Sequence, residues 1–365
     1  EGKDYRKLIC VSSKTKNNQT DNDDLYKIYW EDTKMEFSAT AGTAGGSLKA
    51  LFEVRDGDNL ENFKGKVTKA DSYSLTVENT SIDNIKSLNL PDKDGKITVN
   101  NISYSYDSWE AQVDAQGNIK SVTFNLSKDK AIADPEKTVA EGYLLNAGSA
   151  INARGIPYYM TQLNEFVRNF SEMFNQIESK GQNLNGDTPP TFFEAITNTA
   201  KVYDFSEPEA YSKLPDGQTA TINSSSNTYY RMTAANFSVN KDVMNDVSLF
   251  ATSTDYVKTD SCDIVDELKK LQSEKTVYRG DKAESFLETI ISNVSVDTEK
   301  AETYNKLYSN LEQTIANQRT SVSGVDEDEE ALNLVKFQYS YNMASKIISV
   351  MNQMLDKLIN DTGVA

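Results

Sequence analysis

Residues 334–358, LVKFQYSYNMASKIISVMNQMLDKL, decide how this chain is read. Leu334, Phe337, Tyr341, Ala344, Ile348, Met351, Leu355 and Leu358 follow one another at spacings of 3, 4, 3, 4, 3, 4 and 3. An average of 3.5 keeps one apolar seam on a single helix face, the requirement for a coiled coil. Upstream, Ala283, Leu287, Ile290, Val294, Asp297, Ala301, Tyr304, Tyr308, Leu311, Ile315, Gln318 and Val322 keep a strict alternation of 4 and 3, with only Asp297 and Gln318 polar. At 1.5 Å per residue the first of these helices reaches ~60 Å. Gly324 supplies the break between them, and Asp326-Glu327-Asp328-Glu329-Glu330 opens the second, where acidic side chains complement the positive end of the helix dipole.

Further upstream the period changes. Tyr73–Val77, Ile97–Val99 and Ile102–Tyr106 alternate with period two and are rich in Tyr, Val, Ile and Thr, which predicts half-buried strands. Asp92-Lys93-Asp94-Gly95 is a turn signal; it echoes part of a calcium loop, but its twelfth position is Ser103 rather than Glu. Asp114–Asn118 between Trp109–Val113 and Ile119–Leu126 predicts a hairpin. From Pro157, residues Tyr159, Leu163, Phe166, Phe170, Met173 and Ile177 mark a helix that Gly181 closes. Leu25–Trp30 reads as a short strand, as do Tyr229–Met232 and Asn236–Val239. Ser47 is placed to cap a helix over 47–56, and the polar run from Ser12 to Asp24 reads as a mobile loop or tail. The expected fold class is α+β: an elongated body of long heptad-patterned helices with β-rich outward parts. The expected division is a β/loop segment over 1–57, an inserted β-rich domain at about 58–153, a helical body over 154–322 and an axial coiled-coil helix over 323–365.

Composition excludes several chemistries. The 365 residues hold 55 acids against 38 bases, a formal net charge of -17, and no histidine. Ser-His-Asp and Cys-His catalysis and His-containing zinc sites are therefore ruled out. The acidic balance argues against broad nucleic-acid binding. No apolar run is long enough for a membrane span, and EGKDYRKLIC at the start carries no signal-peptide pattern. Cys10 and Cys262 are able to form one bridge, although two buried free thiols is the favoured reading. No residues are marked for catalysis, for a cofactor or for a metal. Gly42, Gly45 and Gly46 lack the spacing of a phosphate loop, so the expectation is a non-enzyme.

The run Ser321-Val322-Ser323-Gly324-Val325 with its acids, followed by Asn333-Leu334, Phe337-Gln338 and Tyr341, resembles the C-terminal signature of bacterial flagellar axial proteins. Within them the resemblance is best to the hook-associated proteins of the hook–filament junction. Gly46–Leu51 with Arg55-Asp56 is similar to that family's glycine-rich helix entry. Asn175, Gly181, Gly186 and Phe192-Phe193 match its pattern of Asn, spaced glycines and a Phe pair. The segment 58–153 falls outside the resemblance, and the family's N-terminal rod segment has no counterpart in the chain.

The resemblance implies a structural subunit of the flagellum at the hook–filament junction, extracellular and exported through the flagellar channel without a cleaved signal. Implied partners are further copies of the chain, the hook protein, a second hook-associated protein and an export chaperone, with no nucleic acid and no membrane insertion. The expected assembly interface is the seam Leu334 to Leu358. The expected helical-body seam is Leu287, Ile290, Val294, Tyr304, Tyr308, Leu311 and Ile315. A competing reading is a secreted adhesin, a glycan- or protein-binding module on a helical stalk, with Tyr104, Tyr106 and Trp109 at its face. A weaker one is a carboxylate-based hydrolase.

Overall fold

The alternating segments between residues 64 and 147 form a sheet that closes on itself. The computed structural model describes residues 6–21, 25–42, 45–128, 131–139, 141–197, 200–203, 205–206, 209–257, 261–278, 280–324 and 326–361. In chain order, β1 (Leu8–Ser13) and β2 (Leu25–Trp30) make an antiparallel hairpin, and α1 (Gly46–Asp56) follows. The sheet strands are β3 (Lys64–Asp71), β4 (Ser74–Glu78), β5 (Gly95–Val99), β6 (Ile102–Val113), β7 (Ile119–Leu126) and β8 (Leu144–Ala147), with a single-turn helix α2 (Pro135–Thr138) before β8. Antiparallel pairing runs β6-β5-β8-β3-β4-β7, and β7 pairs back onto β6, which removes the free edges as a barrel does.

β6 spans both ends of this closure because it is bulged. Tyr104 and Tyr106 point inward at even positions; after a register shift between Tyr106 and Ser108, Trp109, Ala111 and Val113 point inward at odd ones. The extra residue re-aims the strand, so one continuous run of side chains fills the interior. Phe124, Leu75, Val77, Ile97 and Leu145 complete that core, all fully buried. Tyr106 Oη and Trp109 Nε1 both donate to the Pro91 carbonyl at 3.2 Å, so the polar tips of two buried rings are satisfied by one loop oxygen.

Next comes α3 (Ile156–Glu178), with Pro157 in its first turn, then β9 (Phe193–Ile196) and β10 (Val202–Tyr203). β11 (Ala220–Asn223) pairs with β6, and β12 (Phe237–Val239) pairs with β9. Thus the C-terminal half of β6, beyond its pairing with β5, carries a strand from far downstream, and Tyr211, Ile222 and Tyr230 enter the same core as the barrel strands. α4 (Lys241–Asn245), α5 (Asp263–Ser273) and the pair β13 (Thr276–Tyr278) and β14 (Asp281–Lys282) lead to two long helices, α6 (Ala283–Ser323) and α7 (Glu327–Asp361). The chain divides into two units, Glu1–Ile290 and Ile291–Ala365, so α6 begins in the first and ends in the second.

α3 is covered on its polar side as well as its apolar one. Its Phe166 and Ile177 are buried, but so are Asn164, Glu165, Arg168, Ser171, Glu172, Asn175 and Glu178. Arg168 is 1% exposed and holds the helix to three loops. It donates to Met232 O at 2.9 Å, to Lys86 O at 2.6 Å and to Leu88 O at 2.8 Å, donates also to Gln19 Oε1, and lies 4.7 Å from the Tyr230 ring centre. Burial lowers its pKa to about 10, which leaves the guanidinium charged at neutral pH. Asn175 acts as a strand surrogate: Nδ2 donates to Phe193 O and Oδ1 accepts from Phe193 N, both at 2.9 Å.

Five local expectations are corrected. Ser47 lies inside α1, whose N-cap is Gly45. Residues 14–21 are not a mobile loop, because the Asp21 carboxylate accepts from the Asn17 and Asn18 N–H groups at 2.8 and 3.0 Å and Gln19 Nε2 donates to Tyr230 O at 2.9 Å. Tyr229–Arg231 is a 3-10 turn rather than a strand, since Glu209 Oε1 takes the Tyr229 N–H at 2.6 Å. α3 is closed by Ser179 rather than by Gly181, which is instead needed for close approach: a Cβ there would stand 2.6 Å from the Ala251 Cβ. Cys10 and Cys262 are free as favoured, but both are exposed. Asn22, Asp23 and Asp24 of the polar run, Thr43 and Ala44 of the glycine joint, and Val325 lie outside the described residues.

Candidate assembly surface

Neither long helix contains a proline or a glycine, over 41 residues in α6 and 35 in α7. The break between them is chemically specified. Gly324 N donates to Thr320 O at 2.7 Å, and a Cβ on Gly324 would fall 2.2 Å from that same oxygen. Asp326 then caps α7: its Oδ1 accepts from Asp328 N at 3.0 Å and from Glu329 N at 3.3 Å, while its carbonyl accepts from Glu330 N. Glu327, Asp328, Glu329 and Glu330 occupy the first turn, where the helix dipole favours negative charge.

Every residue of the α7 seam is exposed in the chain. Leu334 is 70% exposed, and Phe337 and Tyr341 are each 74% exposed. Ile348, Met351, Leu355 and Leu358 are exposed too, as is Ala344. In α6, Leu287, Val294, Tyr304, Tyr308, Leu311 and Ile315 are exposed, and Ile290 is half-buried against the core of the first unit. These side chains leave a long run of apolar surface in contact with water.

Sequence spacing missed two features of these helices. The first turns of α6 dock through Ala283, Phe286 and Ile290, not through Leu287; Phe286 stacks on Phe166 at 5.2 Å and meets Tyr278 at 3.9 Å. A Phe three residues after Ala283 was the available signal. The second is a further exposed apolar stripe on α7, formed by Leu332, Val335, Tyr339, Met343, Ile347, Val350 and Met354. At 3.6 residues per turn it lies roughly 130° around the helix from the Leu334–Leu358 seam.

The aromatic face required by an adhesin does not exist at the expected residues. Tyr106 and Trp109 are fully buried, and Tyr104 is buried with them in the barrel core. Among the described residues no group of three or more His, Cys, Asp or Glu is placed to hold a metal ion. No described helix is long and apolar enough to cross a membrane.

Comparison with known proteins meets these helices directly. Residues 316–361, from the last turns of α6 to the end of α7, match a family model described as "Flagellar basal body rod FlgEFG protein C-terminal". The chain is also 21% identical, over 341 residues, to a protein of Bacillus subtilis (strain 168) described as "Flagellar hook-associated protein 1"; the alignment covers 91% of this chain and 56% of that protein. The chain therefore spans about half the length of the curated relative it matches. The family model thus falls on the exposed C-terminal helices, and the similarity to the hook-associated protein of Bacillus subtilis runs along nearly the whole chain.

Proposed function

We propose that this chain is a structural subunit that assembles at the hook–filament junction of the bacterial flagellum, through the apolar faces of α6 and α7. The observation that carries the reading is a coincidence of location. The segment with the family match, 316–361, lies within the two long helices, and its described large apolar side chains are all exposed to water. In an isolated chain that arrangement is unfavourable, because burial is worth about 25 cal/mol per Å² of apolar area. Assembly would recover it.

Two stripes on α7 favour several helical neighbours over a single partner, since one neighbour covers only one seam. On this reading the partners are further copies of the chain, the hook protein and a second hook-associated protein, with an export chaperone before assembly. The protein then works outside the cell after passage through the flagellar channel, and the net charge of -17 keeps free subunits apart. The function is mechanical, so no catalytic group is called for.

The test is deletion of residues 326–365 from the full-length protein in a motile cell. Loss of the junction, with filament subunits shed into the medium, is the expected result. Normal filaments and swimming would overturn the reading.

A further inference from the structure

Only residues 324–326 separate α6 from α7, and the break is built from both sides. Gly324 N still reaches Thr320 O at 2.7 Å, while Asp326 Oδ1 starts α7 afresh by accepting from Asp328 N at 3.0 Å. A joint of this length falls within the roughly 2–5 residues that link antiparallel helical hairpins. From Val294 onward both seams belong to the second unit of the chain.

The spacing of the seams fits such a closure. From Ile315 the α6 seam steps back by 4, 3, 4, 3, 4 and 3 residues to Val294. From Phe337 the α7 seam steps forward by the same 4, 3, 4, 3, 4 and 3 residues to Leu358. Setting Ile315 against Phe337 therefore sets Leu311 against Tyr341, and each later seam residue against another, with Asp297 the one polar member. The midpoint of this register is Asp326, inside the joint. The flanks agree with it. Leu307, 57% exposed, comes beside Ile347, 58% exposed. Between Leu334 and Leu358 no α7 residue flanking the seam is charged, so Lys300 and Glu312 of α6 meet no like charge.

Both seams stand in water, and burying them against each other is favoured at about 25 cal/mol per Å². A joint this short also gives α6 an effective concentration of about millimolar, which a second copy does not reach in dilute solution. We propose that in the free subunit α7 folds back on α6 as an antiparallel hairpin, and that the hairpin opens to release both seams for assembly. Closure rests on the seams and the joint alone; the release step rests on the flagellar reading.

The experiment places spin labels at Lys306→Cys and Lys346→Cys, exposed positions on the sides away from the seams, in the full chain carrying Cys10→Ser and Cys262→Ser. A hairpin sets the two labels level across helices ~10 Å apart, giving a separation under ~35 Å. One continuous helix sets them ~60 Å apart, at 1.5 Å per residue. Dipolar spectroscopy of the free chain should show the short distance, unchanged when labelled chain is diluted with unlabelled. Absence of any short component, or its loss on that dilution, would overturn closure. Leu311→Asp with Tyr341→Asp should move the population to long distances, and a short distance that survives both would remove the seams as its cause. In sedimented assemblies the short distance should vanish, and its persistence there would overturn the release step. No assembly at all would overturn that step together with the flagellar reading, while the distance in the free chain would still decide closure.

Discussion

Gly95 stands directly opposite Tyr106 in the β5–β6 pair, and a Cβ on Gly95 would come within 2.1 Å of the Tyr106 ring. The phenol lies across the glycine and reaches the Pro91 carbonyl beyond it. Gly95→Ala is expected to destabilise the chain by roughly 1–3 kcal/mol, the usual cost of overfilling a packed core. Urea unfolding measures it. Combined with Tyr106→Leu, the glycine substitution should become nearly neutral, and equal penalties in both backgrounds would show that the ring is not what excludes a Cβ.

Arg168 joins α3 to three loop carbonyls, those of Met232, Lys86 and Leu88. Arg168→Met should cost roughly 3–5 kcal/mol, in the range for breaking a buried charged network. Arg168→Lys should recover only a minor share, because one ammonium does not span a fork of three acceptors. Chemical denaturation of both variants decides this.

Asn175→Leu keeps the volume of the side chain and strips both bonds to Phe193. Two buried backbone groups then lose their partner, at about 1–3 kcal/mol each. Amide exchange at Phe193 should speed up more than exchange within the barrel strands. An unchanged rate at Phe193 would argue that the amide pairing is incidental.

Glu178 and Glu209 are buried, and burial pushes both pKa values up to about 7 from 4.5, aided at Glu209 by the charge of Glu172 and opposed by the Tyr229 N–H. In both cases the folded state holds its proton more tightly than the unfolded state does. Their contribution is thus fully present below about pH 4.5 and is lost as pH rises through 7. Thermal melts from pH 5 to 8 should show stability falling with pH, and Glu178→Gln should flatten that slope. A slope left intact in both Glu178→Gln and Glu209→Gln would assign it to general charge repulsion.

Phe337→Asp and Ile348→Asp place charge on the α7 seam, where both side chains already face water. The melting transition of the first unit is expected to move by no more than ~0.5 kcal/mol, as for ordinary surface changes. Sedimentation should show assembly lost in each. Assembly at wild-type concentration in both variants would remove the seam from the interface.

How much of this was legible beforehand follows from the range of the interactions. β2, the β6–β7 hairpin, α3 and the α6–α7 break were readable because period, proline, glycine and capping acids act within a few residues. The strand expected over Tyr229–Met232 failed for the opposite reason: its backbone partner is Glu209, twenty residues away. Aromatics at 104, 106 and 109 had the same composition whether they faced a ligand or a core, and only closure of the barrel buried them.

By itself, then, the sequence determined the long helices, their apolar seam, the chemistry without histidine and the family likeness. Tertiary structure alone decided that β11 and Tyr230 serve the barrel, that Phe286 anchors α6, and that the polar face of α3 is a buried one. Local propensity and spacing depend on neighbours along the chain. Burial, partner choice and cavities depend on which distant segments meet, and those meetings are set by the summed packing of the whole.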